Sequence, residues 1–166
     1  MPIIEPEVLM DGTHTLARCQ EVTEAVLRGV FEQLVLQGVA LEALILKPNM
    51  VVAGLAATTL NTTDEVADAT LQCLRRVVPA AVPGITFLSG GQSGELASRR
   101  LNALHLRPKT PWPLTFSFAR ALQQPALELW AGKAANKVEA QQALMHRARC
   151  NCAALKGGYS AAMEAR

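Results

Sequence analysis

Four short apolar runs alternate with amphipathic helical stretches along this chain, and that alternation limits its possible folds more than any other feature. The runs are residues 2–8 (PIIEPEV), 41–47 (LEALILK), 84–88 (GITFL) and 113–118 (PLTFSF). Between and after them the apolar residues return at three- and four-residue spacing. Leu16, Cys19, Val22, Val26, Val30 and Leu34 predict a helix over 13–37, with Gly38 placed to end it. Thr62-Thr63-Asp64-Glu65 predicts a capped start for a helix that Pro79 stops. Further helices are predicted near 93–105, 120–131 and 137–156, and the Gly157-Gly158 tail is expected to fray over 157–166. Strands that alternate with helices pair in parallel through right-handed crossovers. The runs are apolar on both faces, as a doubly covered parallel sheet requires. The expected class is therefore α/β, with about four βα units plus a C-terminal helix in one domain over 1–156. Two architectures satisfy this: an open doubly wound sheet, or half of a (βα)8 barrel, which takes about 250 residues when complete.

Composition narrows the function classes. Half of the 166 residues are apolar and 18% are charged, which excludes a disordered chain. A net charge of +2 gives no pointer to nucleic acid. The pairs Arg75-Arg76 and Arg99-Arg100 sit in helical patterns and read as solvated faces. No apolar run approaches the ~20 residues of a membrane span, and the first residues do not read as a signal peptide. Cys19, Cys73, Cys150 and Cys152 form no CxxC pair. Cys150 and Cys152 would stand ~200° apart around a helix, a poor arrangement for one metal ion. All four are expected to be reduced packing thiols of a cytoplasmic protein. His14, His105 and His146 receive no role, and Trp112 and Trp130 read as packing residues.

Polar residues interrupt the apolar runs at selected points, and the C-terminal ends of parallel strands carry the ligand site in both architectures. Lys47 ends the second run. Apolar surroundings disfavour an ammonium, so this amine can serve as a nucleophile toward a carbonyl; a lysine snorkelling out of a strand end is the plainer reading. Glu5 and Glu7 alternate onto one face of the first strand, positioned either for proton transfer or for a salt bridge. Ser89-Gly90-Gly91 lies between a strand and a helix, where glycines let the backbone approach an anion. Ser117 and Arg120 end the fourth run, and the planar guanidinium of Arg120 suits a phosphate.

The stretches PIIEPEVLMDG, LILKPNMV, GITFLSGGQS and PLTFSFARAL, in this order and spacing, resemble class I fructose-1,6-bisphosphate aldolase from residue 2 to about 156. The resemblance implies a (βα)8 barrel and reversible cleavage of fructose 1,6-bisphosphate to dihydroxyacetone phosphate and glyceraldehyde 3-phosphate, a step of glycolysis. It implies Lys47 as the Schiff-base residue, Glu5 as the general acid/base and Glu7 as a supporting carboxylate. Ser89, Gly90 and Gly91 match the loop for the C1-phosphate, Ser117 lies in a substrate-binding stretch, and Arg120 matches a phosphate-gripping arginine. No metal or other cofactor is implied, because the imine serves as the electron sink.

This chain departs from that family in several ways. It begins where the fifth strand of the barrel would, so the first four strands and their site groups are missing. Phe118 stands in place of a tyrosine, and Ala119 in place of a glycine. Pro125 falls inside a helical pattern, where it is expected to kink the helix or shift its start. A half-barrel has two open sheet edges, which predicts a homo-oligomer or a complementary N-terminal half. Three functions stay open: an enzyme fragment, a non-catalytic assembly module, and an aldolase acting on another phosphorylated sugar such as fructose 1-phosphate.

Overall fold

A computed structural model describes residues 1–165. It contains four parallel strands, β1 (Ile3–Ile4), β2 (Ile45–Leu46), β3 (Ile85–Phe87) and β4 (Leu114–Phe116), in the order β1-β2-β3-β4. The helices are α1 (Leu16–Leu36), α2 (Thr63–Val77), α3 (Gly94–His105), α4 (Arg120–Trp130) and α5 (Lys137–Ala154). The α/β class and the βα alternation are as expected. The two architectures left open by the sequence are now separated. Each strand lies beside the one before it, α1 packs on α2, α2 on α3, and α3 on α4 and α5. Helices that touch in succession form one layer on one face of the sheet, which is how a barrel is wound; a doubly wound sheet divides them between two faces.

The strands are shorter than the apolar runs, and the causes are local. Lys47 N–H donates to Ile4 O at 2.8 Å. The next donor along that side of β1 falls at Pro6, which has no N–H, so the ladder stops there. Residues Leu41–Ala43, expected as strand, instead form a 3-10 turn closed by Ala43 N–H to Ala40 O at 3.1 Å.

Helix ends follow the sequence signals. Thr15 Oγ1 accepts from Arg18 N–H and caps α1. At the other end Gly38 adopts φ +69, with Gly38 N–H donating to Val35 O and Val39 N–H to Leu34 O, a Schellman motif. Thr62 and Glu65 form a complete capping box on α2. α4 runs unbroken through Pro125. Phe87, Leu46, Leu44, Leu27, Leu71 and Leu101 are fully buried between sheet and helices.

The expectation of a frayed tail is corrected for the described residues 157–165. Tyr159 is buried, its N–H donates to Asn102 Oδ1 at 2.9 Å, and its hydroxyl donates to Glu164 Oε1 at 2.8 Å. Glu164, at the end of a 3-10 turn over Ala161–Glu164, binds the buried Arg147 through both carboxylate oxygens. A buried guanidinium demands a counter-charge, and the tail supplies it. Two other expectations also change. Trp112 is a packing residue, its Nε1–H donating to Pro79 O at 2.9 Å, but Trp130 is 45% exposed. Arg100 is largely buried rather than solvated.

Candidate active site

The expected residues fall at the C-terminal ends of the strands, and hydrogen bonds beyond the strand ends keep them in register. The pairing of Ile4 with Leu46, continued by one residue, sets Glu5 beside Lys47. Glu5 Oε1 and Lys47 Nζ are 2.8 Å apart. The lysine side chain is 18% exposed and the glutamate 47%, so the amine is recessed and its partner stands toward solvent. At 2.8 Å a proton can pass directly between the two groups. Glu7, expected as a companion carboxylate, is exposed, and among the described residues it forms no ion pair.

Leu88 N–H donates to Pro48 O at 3.1 Å, tying the residue before Ser89 to the residue after Lys47. Ser117 N–H donates to Phe87 O at 2.8 Å on the other side of β3. The Ser89-Gly90-Gly91 loop therefore sits between the lysine strand and the Ser117 strand. Gly90 has φ +54 and Gly91 φ +74, a left-handed pair that other residues rarely adopt. A Cβ on Gly90 would also overlap the terminal methyl of Met10. The loop feeds α3, which Ser93 caps by accepting from Leu96 N–H at 3.2 Å.

Arg120 is exposed at the first position of α4. Ala119 has no side-chain oxygen to cap that helix, so its first N–H groups remain free for an anion. Ala119 adopts φ −88, a conformation in which alanine carries no left-handed strain. Phe118 is buried against Phe116, with ring centroids 5.4 Å apart.

Residues outside the sequence-based set shape this site. Gln92 is buried; its Nε2 donates to Ser89 O at 2.9 Å, and its Oε1 accepts from Arg100 Nη1 at 3.0 Å. Burial draws the Arg100 guanidinium down from its ordinary value, and its Nε has no partner. Asn49 Oδ1 accepts from Val8 N–H at 3.0 Å while its Nδ2 donates to Thr23 Oγ1 at 3.3 Å, anchoring the segment that carries Glu5 and Glu7. A glutamine directly after the Gly90-Gly91 pair is a usable sequence signal for Gln92. Nothing local distinguishes Arg100 from its exposed neighbour Arg99.

Among the described residues no helix is long and apolar enough to cross a membrane. The chain matches the family described as Fructose-bisphosphate aldolase class-I over residues 1–166. It is 56% identical to human fructose-bisphosphate aldolase B over 160 residues, which is 96% of this chain and 44% of that protein. The Oryctolagus cuniculus aldolase B is 55% identical over the same shares. A solved structure of the Plasmodium falciparum fructose-bisphosphate aldolase, in complex with TRAP and a small-molecule inhibitor, superposes with a TM-score of 0.93 at 48% identity. That match covers 96% of this chain and 46% of the other. The chain thus spans a little under half the length of the relatives it matches. With the fold, the strand-end lysine and the sequence in agreement, this chain belongs to the class I fructose-bisphosphate aldolase family.

Proposed function

We propose that this chain carries the Schiff-base portion of a fructose-bisphosphate aldolase site, acting in the cytoplasm on a glycolytic sugar phosphate. The observation that carries the reading is the 2.8 Å contact between Lys47 Nζ and Glu5 Oε1 at the C-terminal end of the sheet. The Lys47 amine adds to the C2 carbonyl of fructose 1,6-bisphosphate to give a carbinolamine, and Glu5 delivers the proton that lets water leave. The resulting iminium accepts the electron pair when the C3–C4 bond breaks and the Glu5 carboxylate takes the C4 hydroxyl proton; glyceraldehyde 3-phosphate leaves, and the enamine left on Lys47 is protonated at C3 and hydrolysed to dihydroxyacetone phosphate. The amides of Ser89, Gly90 and Gly91 take one phosphate, with Arg120 and the uncapped start of α4 beside it. Ser117 lines the substrate, and Glu7 adds negative charge near the lysine. The second set of strands comes from a complementary N-terminal half-barrel or from a second copy of this chain.

One observation favours a second reading, a non-catalytic assembly module. Among the described residues β1 and β4 have no partner on their outer sides, and Ile3, on the edge strand, is 57% exposed. Unpaired edges of this kind readily take a further strand.

Borohydride reduction with dihydroxyacetone phosphate, followed by intact mass and peptide mapping, separates the two. The expected result is a single adduct on Lys47, lost in Lys47→Met. A folded chain that gives no adduct, or an adduct on another lysine, overturns the Schiff-base reading.

A further inference from the structure

Away from Lys47, three side chains near the C-terminus converge on one point. His146 and Cys150 are four residues apart on α5 and so share a helical face. Glu164 reaches them from the 3-10 turn Ala161–Glu164. His146 Nε2 lies 3.2 Å from Glu164 Oε2 and 3.7 Å from Cys150 Sγ, and the three donor atoms are all within 4.8 Å of one another. One imidazole nitrogen therefore faces a carboxylate and a thiol together.

The N–O and N–S spacings match a tetrahedral ion. With zinc distances of about 2.05 Å to nitrogen and oxygen and about 2.3 Å to sulfur, the tetrahedral edges are about 3.3 Å for N–O and about 3.6 Å for N–S. One of the three donors, Glu164, already has the outer contacts that orient a metal ligand. Glu164 is oriented by Arg147 on both oxygens and by the Tyr159 hydroxyl, and Arg147 is itself held by Gly94 O and Ser98 Oγ, each at 2.6 Å. A cleft of about 520 Å³ bordered by Glu139, Gln142, His146 and Arg149 opens beside the imidazole. It offers an ion an aqueous approach and room for a water ligand.

We propose that His146 Nε2, Cys150 Sγ and the Glu164 carboxylate bind one zinc-like divalent cation, with a water from this cleft as the fourth ligand, pinning the C-terminal tail to α5. Burial, followed by the nearby Glu164 carboxylate, pushes the Cys150 thiol up, so without metal the sulfur keeps its proton. Binding the ion releases that proton to solvent, and thiolate and carboxylate together offset the two positive charges. Arg147 shares Glu164, so it tempers the affinity without removing the site. The nitrogen–sulfur–oxygen set favours zinc over magnesium or calcium, which select all-oxygen sites. This proposal stands apart from the aldolase reading, and either can fail alone.

The test uses the full 166-residue chain, stripped with a chelator and titrated with Zn2+ by calorimetry and with Co2+ by absorbance. The expected result is one equivalent bound, with a near-ultraviolet thiolate-to-cobalt band. Cys150→Ser should abolish the band, His146→Gln should weaken binding at least ~10-fold, and Cys152→Ser should change neither. A folded chain that binds no stoichiometric Zn2+, or whose affinity is indifferent to both Cys150→Ser and His146→Gln, overturns the proposal. If Cys150→Ser fails to fold, His146→Gln carries the test, because that side chain is only partly buried.

Discussion

Glu164→Gln should free the C-terminal tail while leaving the rest of the fold in place. Arg147 is 4% exposed, and Glu164 is the carboxylate that binds it. Its Nε already lacks a partner. Removing one member of such a buried pair costs about 3–5 kcal/mol, because the other charge stays behind uncompensated. A glutamine retains one neutral acceptor, which places the expected loss near the lower end, about 3 kcal/mol. The main other ties of the tail are the burial of Tyr159, about 2 kcal/mol, and its N–H to Asn102, about 1 kcal/mol. Loss and remaining hold are of equal size, so the tail should open locally before the sheet unfolds. Hydrogen exchange by mass spectrometry, with chelator present, should show the 155–165 peptide exchanging on the order of 10²-fold faster. Exchange in β3 and α2 should hardly change. An increase under about threefold would show that Arg147 does not depend on Glu164, and would refute the reasoning.

Three further outcomes are expected. Gly90→Ala should reduce dihydroxyacetone phosphate binding and lower stability by about 1–2 kcal/mol, because φ +54 and the Met10 methyl both exclude a Cβ; calorimetry and urea unfolding read the two effects. Ala131→Gly should raise stability by about 1 kcal/mol in urea unfolding, since Ala131 holds φ +47 at the end of α4, the one left-handed non-glycine among the described residues. Acid should destabilise the fold partly through Glu24. Burial raises its carboxyl, but hydrogen bonds from Arg76 and Gln20 outweigh that and hold it below its ordinary 4.5. A depressed folded-state value contributes stability above pH 4.5 that is lost as pH falls through the folded value, so a Glu24→Gln chain should show a flatter loss below pH 4.5 in thermal melts.

The helices and the strand-end position of Lys47 were legible because their signals are local. Gly38 ends α1 and Thr62 with Glu65 starts α2 as their chemistry requires, and Lys47 lies at the strand end where parallel sheets expose functional groups. Strand lengths were less legible, since they depend on a partner's donors: Pro6 shortens β1 from within, and residues 41–43 have turned into a 3-10 helix before the ladder begins. The docked tail was illegible from composition. Gly157-Gly158 suggests fraying, while the ion pair that opposes it links residues 17 apart and becomes visible only once Tyr159 has turned the chain back. Arg100 looked solvated beside Arg99 because one step around a helix reverses exposure without changing residue type. The zinc-like cluster did have a sequence signal, a histidine and a cysteine four apart on one helix face, but its third member comes from that same unforeseen tail.

The strand order β1-β2-β3-β4 also bears on synthesis. Every strand after the first joins a neighbour already made, and each early helix finds its packing partner in the next unit rather than in a distant one. Each pairing still closes a loop of roughly 30–40 residues, so the sheet forms more slowly than the helices it carries. A ribosome could therefore release this chain one βα unit at a time onto a growing sheet, with the lysine strand seated before α5 has left the exit tunnel. The outer edge of β4 is completed last, so it meets other chains only after the rest of the sheet has closed behind it.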